Sequence, residues 1–160
     1  MKIAIGSDRQ GFAYKGKLVE YLLSKHHEVI DVGPYDKTLP VDYPIYGEKV
    51  GRLVAGGECE KGIVICATGI GIMIACNKVQ GIRCGMGYND VVAERMREHN
   101  DANVIAFGQS HMTLEEVIKR TDIFLKTDFL HGYHCARVKQ IADIEEGKVI
   151  QQSPYIDFKE

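Results

Sequence analysis

The stretch GIVICATGIGI, residues 62–72, decides the fold. Its first part, GIVICA at 62–67, is a continuous apolar run of the kind found in central strands of parallel sheets. Gly69 and Gly71 follow at once and lead into a short helix that we predict at 72–78. A strand that ends in a glycine turn and a helix is the repeating unit of open α/β sheets.

Apolar runs alternate with helical patterns on both sides of this stretch. We predict strands at 2–7, 28–32, 62–67, 82–87 and 103–108, and helices at 12–25, 45–55, 72–78, 90–98, 114–126 and 133–146. Thr113 with Glu116 three residues later predicts a capping box before the fifth helix. The alternation predicts an α/β fold whose parallel sheet of five strands is covered by helices on both faces.

The length of 160 residues fits a single domain. We predict that domain at residues 1–146 and a C-terminal extension at 147–160. The extension ends in the polar and aromatic segment QQSPYIDFKE at 151–160, which is a candidate for packing on a partner subunit.

Charge and composition exclude several classes of function. A formal net charge of -2 and a pI near 6.3 disfavour nucleic-acid binding, which needs a basic surface. No run approaches the roughly 18–20 apolar residues that span a bilayer, and residues 1–7 lack the cleavage pattern of a signal peptide. Five cysteines without a CxxC pair argue against a disulfide framework or a zinc site, and favour the cytoplasm.

Cys66 stands at the end of the third predicted strand, where ligands of open parallel sheets collect. The amides of 67–71 can face an anion. Their positive electrostatic field is expected to favour the thiolate of Cys66 over the thiol. Cys66 is therefore a candidate base or nucleophile, although a buried core cysteine is the alternative. For Cys76 and Cys84, whose neighbours are apolar, core packing is the favoured interpretation.

Other glycine-loop motifs do not fit. A dinucleotide fingerprint would need a third glycine where Ile74 stands, and no GK[ST] ending marks a phosphate-binding P-loop. A cysteine phosphatase would need an arginine where Ile72 stands.

Short motifs occur in a distinctive order along the chain: GSD at 6–8, DYP at 42–44, CATGIGI at 66–72, NK at 77–78, GIR at 81–83, EHNDANVIAFG at 98–108 and HCARV at 134–138. In this combination the chain resembles the ribose-5-phosphate isomerase B and galactose-6-phosphate isomerase family, from residue 2 to about residue 146. The resemblance implies a Rossmann-like three-layer α/β/α sandwich. It also implies interconversion of aldose and ketose phosphates through a cis-enediolate, without a metal or an organic cofactor.

The resemblance assigns roles to particular residues. It implies that Cys66 moves a proton between C1 and C2, that Thr68 and the amides of 67–71 hold the enediolate, and that His99 opens the sugar ring. Proton abstraction beside a carbonyl independently requires a base and hydrogen-bond donors aimed at the developing oxyanion. Substrate-binding roles are implied for Asp8, Arg9, Tyr43, Ala67, Gly69, Ile70, Gly71, Asn100, His134 and Arg137.

The resemblance further implies the partners: a small sugar phosphate, and a homodimer or dimer of dimers in which both subunits complete each site. Neither nucleic acid nor membrane is an expected partner.

Three expected ligand-facing positions depart from the family pattern. Arg9 stands where the family commonly has histidine, and Ser110 and Tyr133 stand where it commonly has arginines. Serine and tyrosine cannot make the charged bidentate contact that arginine makes with phosphate. One hypothesis is that Arg9 and Arg137 rebuild a shifted phosphate site, with His111, His131 or His134 as further candidates. The alternatives are that phosphate binding is lost, that Arg9 is a solvated loop arginine and that Tyr133 is a packing residue at the start of a helix.

Three alternatives stay open. The substrate could be a hexose phosphate, a tetrose phosphate or a free sugar. The chain could be a non-catalytic subunit, which the joint presence of Cys66, Thr68 and His99 disfavours. A cysteine hydrolase using Cys66 and His99 would need an acyl pocket that the sequence does not indicate.

Overall fold

The strands of the sheet all run in one direction. The computed structural model describes residues 1–153. The strands are β1 (Lys2–Ser7), β2 (Glu28–Asp31), β3 (Lys61–Cys66), β4 (Cys84–Met86) and β5 (Val104–Gly108). They pair in parallel in the order β2-β1-β3-β5-β4. This confirms the predicted five-stranded parallel sheet.

Six helices lie in the described part of the chain, and all six were predicted. They are α1 (Phe12–Ser24), α2 (Tyr43–Ala55), α3 (Ile70–Cys76), α4 (Asp90–Glu98), α5 (Leu114–Lys126) and α6 (His134–Glu145). The predicted capping box opens α5: the Thr113 hydroxyl accepts from the Glu116 amide at 3.2 Å, and the Glu116 carboxylate accepts from the Thr113 amide at 2.8 Å.

Side chains of the central strands alternate between two apolar layers. Ile63 and Ile65 join the cluster that α1, α4 and α5 cover, whereas Val64 and Cys66 join the cluster that α2 and α3 cover. Because successive strand residues point to opposite faces, a continuous apolar run is what a doubly covered strand requires. The three-layer α/β/α arrangement implied by the resemblance is confirmed. Cys76 and Cys84 pack in the second cluster, as predicted.

Three elements differ from their predicted bounds by two residues, and the remaining differences are of one residue. Helix α2 begins at Tyr43 instead of residue 45, because Pro44 is compatible with the first turn of a helix. Helix α3 begins at Ile70 instead of residue 72, directly after the left-handed Gly69. Strand β4 covers only Cys84–Met86 instead of 82–87, because the amide of Arg83 bonds to the Asn103 side chain instead of extending the ladder.

Helix α6 lies outside the two main layers. Among its residues only His134 is buried, and near its other end the Glu145 carboxylate accepts a hydrogen bond from the Gly81 amide at 3.0 Å. The segment predicted to pack on a partner, 151–160, lies outside the described residues from position 154 onward.

Candidate active site

The sulfur of Cys66 lies at the carboxyl edge of the sheet, where β3 ends. The residue is 4% exposed, and the backbone amide of Gly69 donates a hydrogen bond to Sγ over 3.0 Å. A donor aimed at sulfur stabilises it most when the sulfur carries negative charge. The arrangement therefore suits a side chain that gives up and regains a proton.

Two positions after Cys66 require glycine. Gly69 has φ of +82°, and a Cβ there would lie 2.7 Å from Cε of Met86. A Cβ on Gly71 would lie 2.8 Å from ring atoms of Tyr43. The turn is thus held between β4 and α2, and the first residue of α2 places its aromatic ring on Gly71.

Thr68 forms the solvent-facing part of the same turn. Its hydroxyl accepts a hydrogen bond from the Ile70 amide at 3.3 Å. Within residues 1–153 that hydroxyl has no acceptor, so its own proton is available to a ligand. Ile70 beside it is 53% exposed. The mouth of the turn therefore presents a hydroxyl donor next to an apolar side chain.

The loop after β1 joins this edge. The amide of Asp8 donates to the Ile65 carbonyl at 3.1 Å, and the Asp8 carboxylate accepts from the Gly11 amide at 2.9 Å. These bonds fix Asp8 beside the end of β3 and leave its second carboxylate oxygen without a partner in the described chain. Arg9 follows it in an exposed position.

The loop after β5 closes on the turn from the other side. The amide of Gln109 donates to the Cys66 carbonyl at 2.9 Å, and the amide of Ser110 donates to the Ala67 carbonyl at 3.0 Å. Gln109 was not among the predicted site residues. Its position directly after β5 is the signal that could have found it, because parallel strands bring their carboxyl ends together.

His99 lies at the opposite edge of the sheet from Cys66. It caps the end of α4 and precedes Val104, the first residue of β5, by five positions. Val104 pairs with Gly62 near the start of β3, whereas Cys66 pairs with Gly108 at the end of β5. The two edges are separated by the length of β3, about 17 Å at the usual rise per residue.

A second cluster surrounds His99. Its ring stacks on that of His134, with centroids 4.3 Å apart and planes 12° apart. Nη1 of Arg95 lies 3.1 Å from Nε2 of His99, and since a guanidinium only donates, Nε2 accepts. Burial lowers the pKa of the His134 imidazole below its ordinary value, and the neighbouring His99 and Arg137 act in the same direction.

Tyr133 and Arg137 extend this cluster. The Tyr133 ring centroid lies 4.0 Å from that of His134, and the Arg137 guanidinium lies over the Tyr133 ring at 4.8 Å. Arg137 also donates to the Tyr133 carbonyl at 3.0 Å. Tyr133 therefore orients a cation at the position where an arginine is expected in the family.

Asn100 lies beside His99 in a turn that two arginines brace. Its carbonyl accepts from Nε of Arg83 at 3.0 Å, while its side chain stays exposed. The next residue, Asp101, has φ of +47° and bonds to both Arg83 and Arg97 at 2.8 Å. The ion pairs hold this turn in a backbone conformation that costs energy on its own.

The structure divides the predicted site residues into two groups at opposite edges. The carboxyl-edge group comprises Asp8, Arg9, Tyr43, Cys66, Ala67, Thr68, Gly69, Ile70 and Gly71. The amino-edge group comprises His99, Asn100, His134 and Arg137. Arg9 and Arg137, the pair predicted to rebuild a phosphate site, do not meet within one chain.

Within residues 1–153 no cluster of three or more His, Cys, Asp or Glu side chains is placed to hold a metal ion. All five cysteines are free thiols. The helices of this part of the chain are too short or too polar to cross a membrane.

Comparison with known proteins gives a consistent match. The family model described as Ribose/Galactose Isomerase matches residues 3–141. Ribose-5-phosphate isomerase B of Escherichia coli strain K12 is 42% identical over 145 residues, covering 91% of this chain and 97% of that protein.

Solved structures match over similar lengths. Ribose-5-phosphate isomerase B of Clostridium thermocellum superposes with a TM-score of 0.90 and 45% identity, covering 92% of this chain and 99% of that one. The enzyme of Mycoplasma genitalium with bound ribulose-5-phosphate superposes with a TM-score of 0.87 and 34% identity, covering 91% and 96%.

Proposed function

The chain belongs to the ribose/galactose isomerase family and is an aldose–ketose isomerase of the ribose-5-phosphate isomerase B type, and we propose that it interconverts ribose 5-phosphate and ribulose 5-phosphate. The observation that carries the mechanism is the 3.0 Å hydrogen bond from the Gly69 amide to the Cys66 sulfur. It sets the thiol in a turn whose mouth carries a free hydroxyl donor.

In the proposed reaction Cys66, as the thiolate, removes the proton from C2 of the open-chain aldose. The C2–H electron pair forms the C1–C2 double bond of a cis-enediolate, while the C1 carbonyl pair moves onto oxygen. A proton passes from the C2 oxygen to the C1 oxygen. The Cys66 thiol exchanges the proton it has taken with solvent and then protonates C1. Thr68 and those amides of 67–71 that bond neither to the Cys66 sulfur nor to the Thr68 hydroxyl hold the charged oxygens, as donors aimed at developing charge do in other enzymes.

Ring opening falls to His99 of a second subunit. Cys66 and His99 lie at opposite edges of one chain, so a complete site requires the amino-edge group of one copy to face the carboxyl-edge group of another. A two-fold dimer would form two such sites at once, because each subunit then both supplies and receives the missing group.

The carboxyl-edge group has a surface suited to that partner. Ile70 and Ile74 lie one turn apart on α3 and are 53% and 51% exposed, and Tyr43 is also partly exposed. Contiguous exposed apolar side chains beside a functional site are typical of an interface. We propose a homodimer, or a dimer of such dimers, with the extension 147–160 packed on the partner.

Phosphate binding is shared in the same way. Arg137, held over the Tyr133 ring, would enter the partner's site, where Arg9 already stands. Five free thiols fit a reducing compartment, so we also propose that the enzyme acts in the cytoplasm.

A related sugar phosphate is the rival substrate, favoured by Ser110 and Tyr133 at positions where arginines are expected. The test is a panel of aldose phosphates and free aldoses, with ketose formation as the readout. We expect ribose 5-phosphate to give the highest kcat/KM. Equal or faster turnover of a hexose phosphate, a tetrose phosphate or a free aldose would reject the pentose assignment.

A further inference from the structure

A cavity of about 550 Å³ opens between the loops that follow β1 and β2. Its lining residues are Arg9, Gln10, Lys37 and Thr38. Both loops leave the carboxyl edge of the sheet, so the cavity lies on the same edge as Cys66. Of its residues, only Arg9 belongs to the predicted site.

Two cations, Arg9 and Lys37, line this cavity. Among residues 1–153, neither Arg9 nor Lys37 has an ion pair, a hydrogen bond or an aromatic contact. Two unpaired like charges on one cavity raise the electrostatic potential there and attract an anion. Asp36, in the same loop, pairs with neither cation: its carboxylate accepts from the amide and the hydroxyl of Thr38, at 2.8 and 2.7 Å.

A buried ion pair sets the position of the loop that carries Lys37. The ammonium of Lys15, on α1, is 4% exposed and bonds to both carboxylate oxygens of Asp31 at 2.7 and 2.6 Å. Tyr35 donates from its hydroxyl to the Asp31 carbonyl at 2.7 Å, and the Lys15 ammonium lies 5.5 Å from the centre of its ring. Since α1 also follows the Arg9 loop directly, the pair ties the two walls of the cavity together.

The cavity lies within reach of a sugar phosphate bound at Cys66. Strand β1 pairs with β3, and Asp8, the residue before Arg9, bonds to the Ile65 carbonyl at 3.1 Å. Neighbouring strands lie about 4.8 Å apart. A sugar with its C1 and C2 at Cys66 can therefore lay its carbon chain past Asp8 and end between Arg9 and Lys37.

We propose that Lys37, together with Arg9, forms a binding subsite for the terminal phosphate of the sugar phosphate, supplied by the same subunit as Cys66. This rests on the proposed function for the identity of the ligand. It adds to the site a residue that no motif marks, and it supplies positive charge from within one subunit. The positive charge of Lys37 and Arg9 offsets the absence of arginines at positions 110 and 133, where serine and tyrosine stand.

The first experiment compares Lys37→Ala with Lys17→Ala. Lys17 is an exposed lysine paired with Glu20 on α1, away from the cavity, and serves as the matched control. We expect Lys37→Ala to raise KM for the phosphorylated substrate about tenfold, the loss usual for one charged hydrogen bond at a partly exposed site, with a much smaller change in kcat. Lys17→Ala should leave both constants unchanged. An unaltered KM in Lys37→Ala overturns the subsite, as does an equal rise in KM for an unphosphorylated aldose.

The second experiment uses inorganic phosphate as the probe and needs no turnover. Isothermal titration calorimetry is run on the full chain, the Lys37→Ala variant and the Lys17→Ala control. Weaker phosphate binding in Lys37→Ala alone supports the subsite, even if no aldose phosphate were isomerised and the proposed function failed. Equal phosphate binding by all three proteins overturns the subsite, as does an absence of binding by the unaltered chain. Neither outcome contradicts the proposed isomerase activity, which the aldose phosphate panel tests separately.

Discussion

Cys66 and His99 lie at opposite edges of the parallel sheet. Cys66 ends β3 beside Gly108, the last residue of β5, whereas His99 precedes the first residue of β5. No rearrangement that keeps the sheet intact can bring the two side chains together in one chain. If both residues act on one substrate molecule, they come from different subunits.

Mixing two inactive variants should therefore restore activity. In a hybrid of Cys66→Ala and His99→Asn, one site receives Cys66 from one subunit and His99 from the other, and its companion site receives neither. Random exchange makes half of the dimers hybrid, so we expect about a quarter of the unaltered activity after refolding an equimolar mixture. The readout is ketose formation per subunit.

A matched mixture provides the control. Cys66→Ala and Thr68→Ala both alter the carboxyl-edge group, so their hybrid has no site with both residues intact and should gain nothing over its parents. Recovery in this control, or none in the Cys66 and His99 mixture, would contradict the shared-site proposal.

Gly69→Ala should lower both stability and activity. The residue has φ of +82°, and a Cβ would lie 2.7 Å from Met86 Cε and 2.9 Å from the backbone of Phe107. We expect the free energy of unfolding to fall by about 1–3 kcal/mol. Because the Gly69 amide also donates to the Cys66 sulfur, displacing it should lower kcat as well as the free energy of unfolding. Urea unfolding and steady-state kinetics measure the two effects.

Gly16 is the control for that substitution. It lies within α1, and a Cβ there meets nothing within 4 Å. Gly16→Ala should raise stability by about 0.4–1 kcal/mol and leave kcat/KM unchanged. Similar losses in both variants would show that Gly69 has no special role.

Stability should fall as the pH drops below about 6.5, the ordinary pKa of histidine. Burial, followed by His99 and Arg137, holds the pKa of folded His134 below that value. In that pH window the unfolded chain binds more protons than the folded one, so acid favours unfolding. His134→Gln should reduce the loss of unfolding free energy between pH 7.5 and pH 5.5.

The measurement is urea unfolding at one fixed protein concentration, since a dimer's stability depends on concentration. Part of the loss of stability in acid should remain in His134→Gln, because burial also lowers the pKa of His27. Gln140→Ala, which alters the same helix without removing a titratable group, is the control and should leave the pH dependence as it is. A His134→Gln curve parallel to that of the unaltered protein would contradict the prediction.

Much of the fold could be predicted from the sequence because its signals are local. The run at 62–67 is apolar on both faces of the strand, and Thr113 with Glu116 forms the capping box that the spacing predicts. The predicted start of α3 is two residues late, since Gly69 itself provides the left-handed residue before the helix. Nothing in the apolar periodicity of 82–87 indicates that the Asn103 side chain ends the ladder at Arg83.

The candidate site could be predicted only in part. Cys66, Thr68 and the glycines form one turn, so a single motif carries their geometry. The separation of Cys66 and His99 depends on the fold, and no motif encodes it. Cys66 ends a strand at the carboxyl edge of the sheet, whereas His99 ends a helix that returns to the amino edge. Lys37 lies in a loop without a motif, and tertiary contacts, among them the ion pair of Lys15 with Asp31, bring that loop beside Arg9.

The most direct test of Cys66 as the proton-transfer base is isomerisation in deuterium oxide. Ribose 5-phosphate is incubated with the unaltered enzyme and with Cys66→Ala, and the product is analysed by NMR for deuterium at C1. We expect solvent deuterium at C1 with the unaltered enzyme and a loss of turnover of about 100-fold or more in the variant. Cys76→Ala, which alters a buried thiol outside the turn, should still incorporate deuterium. Deuterium incorporation at an undiminished rate in Cys66→Ala would contradict the proposed mechanism.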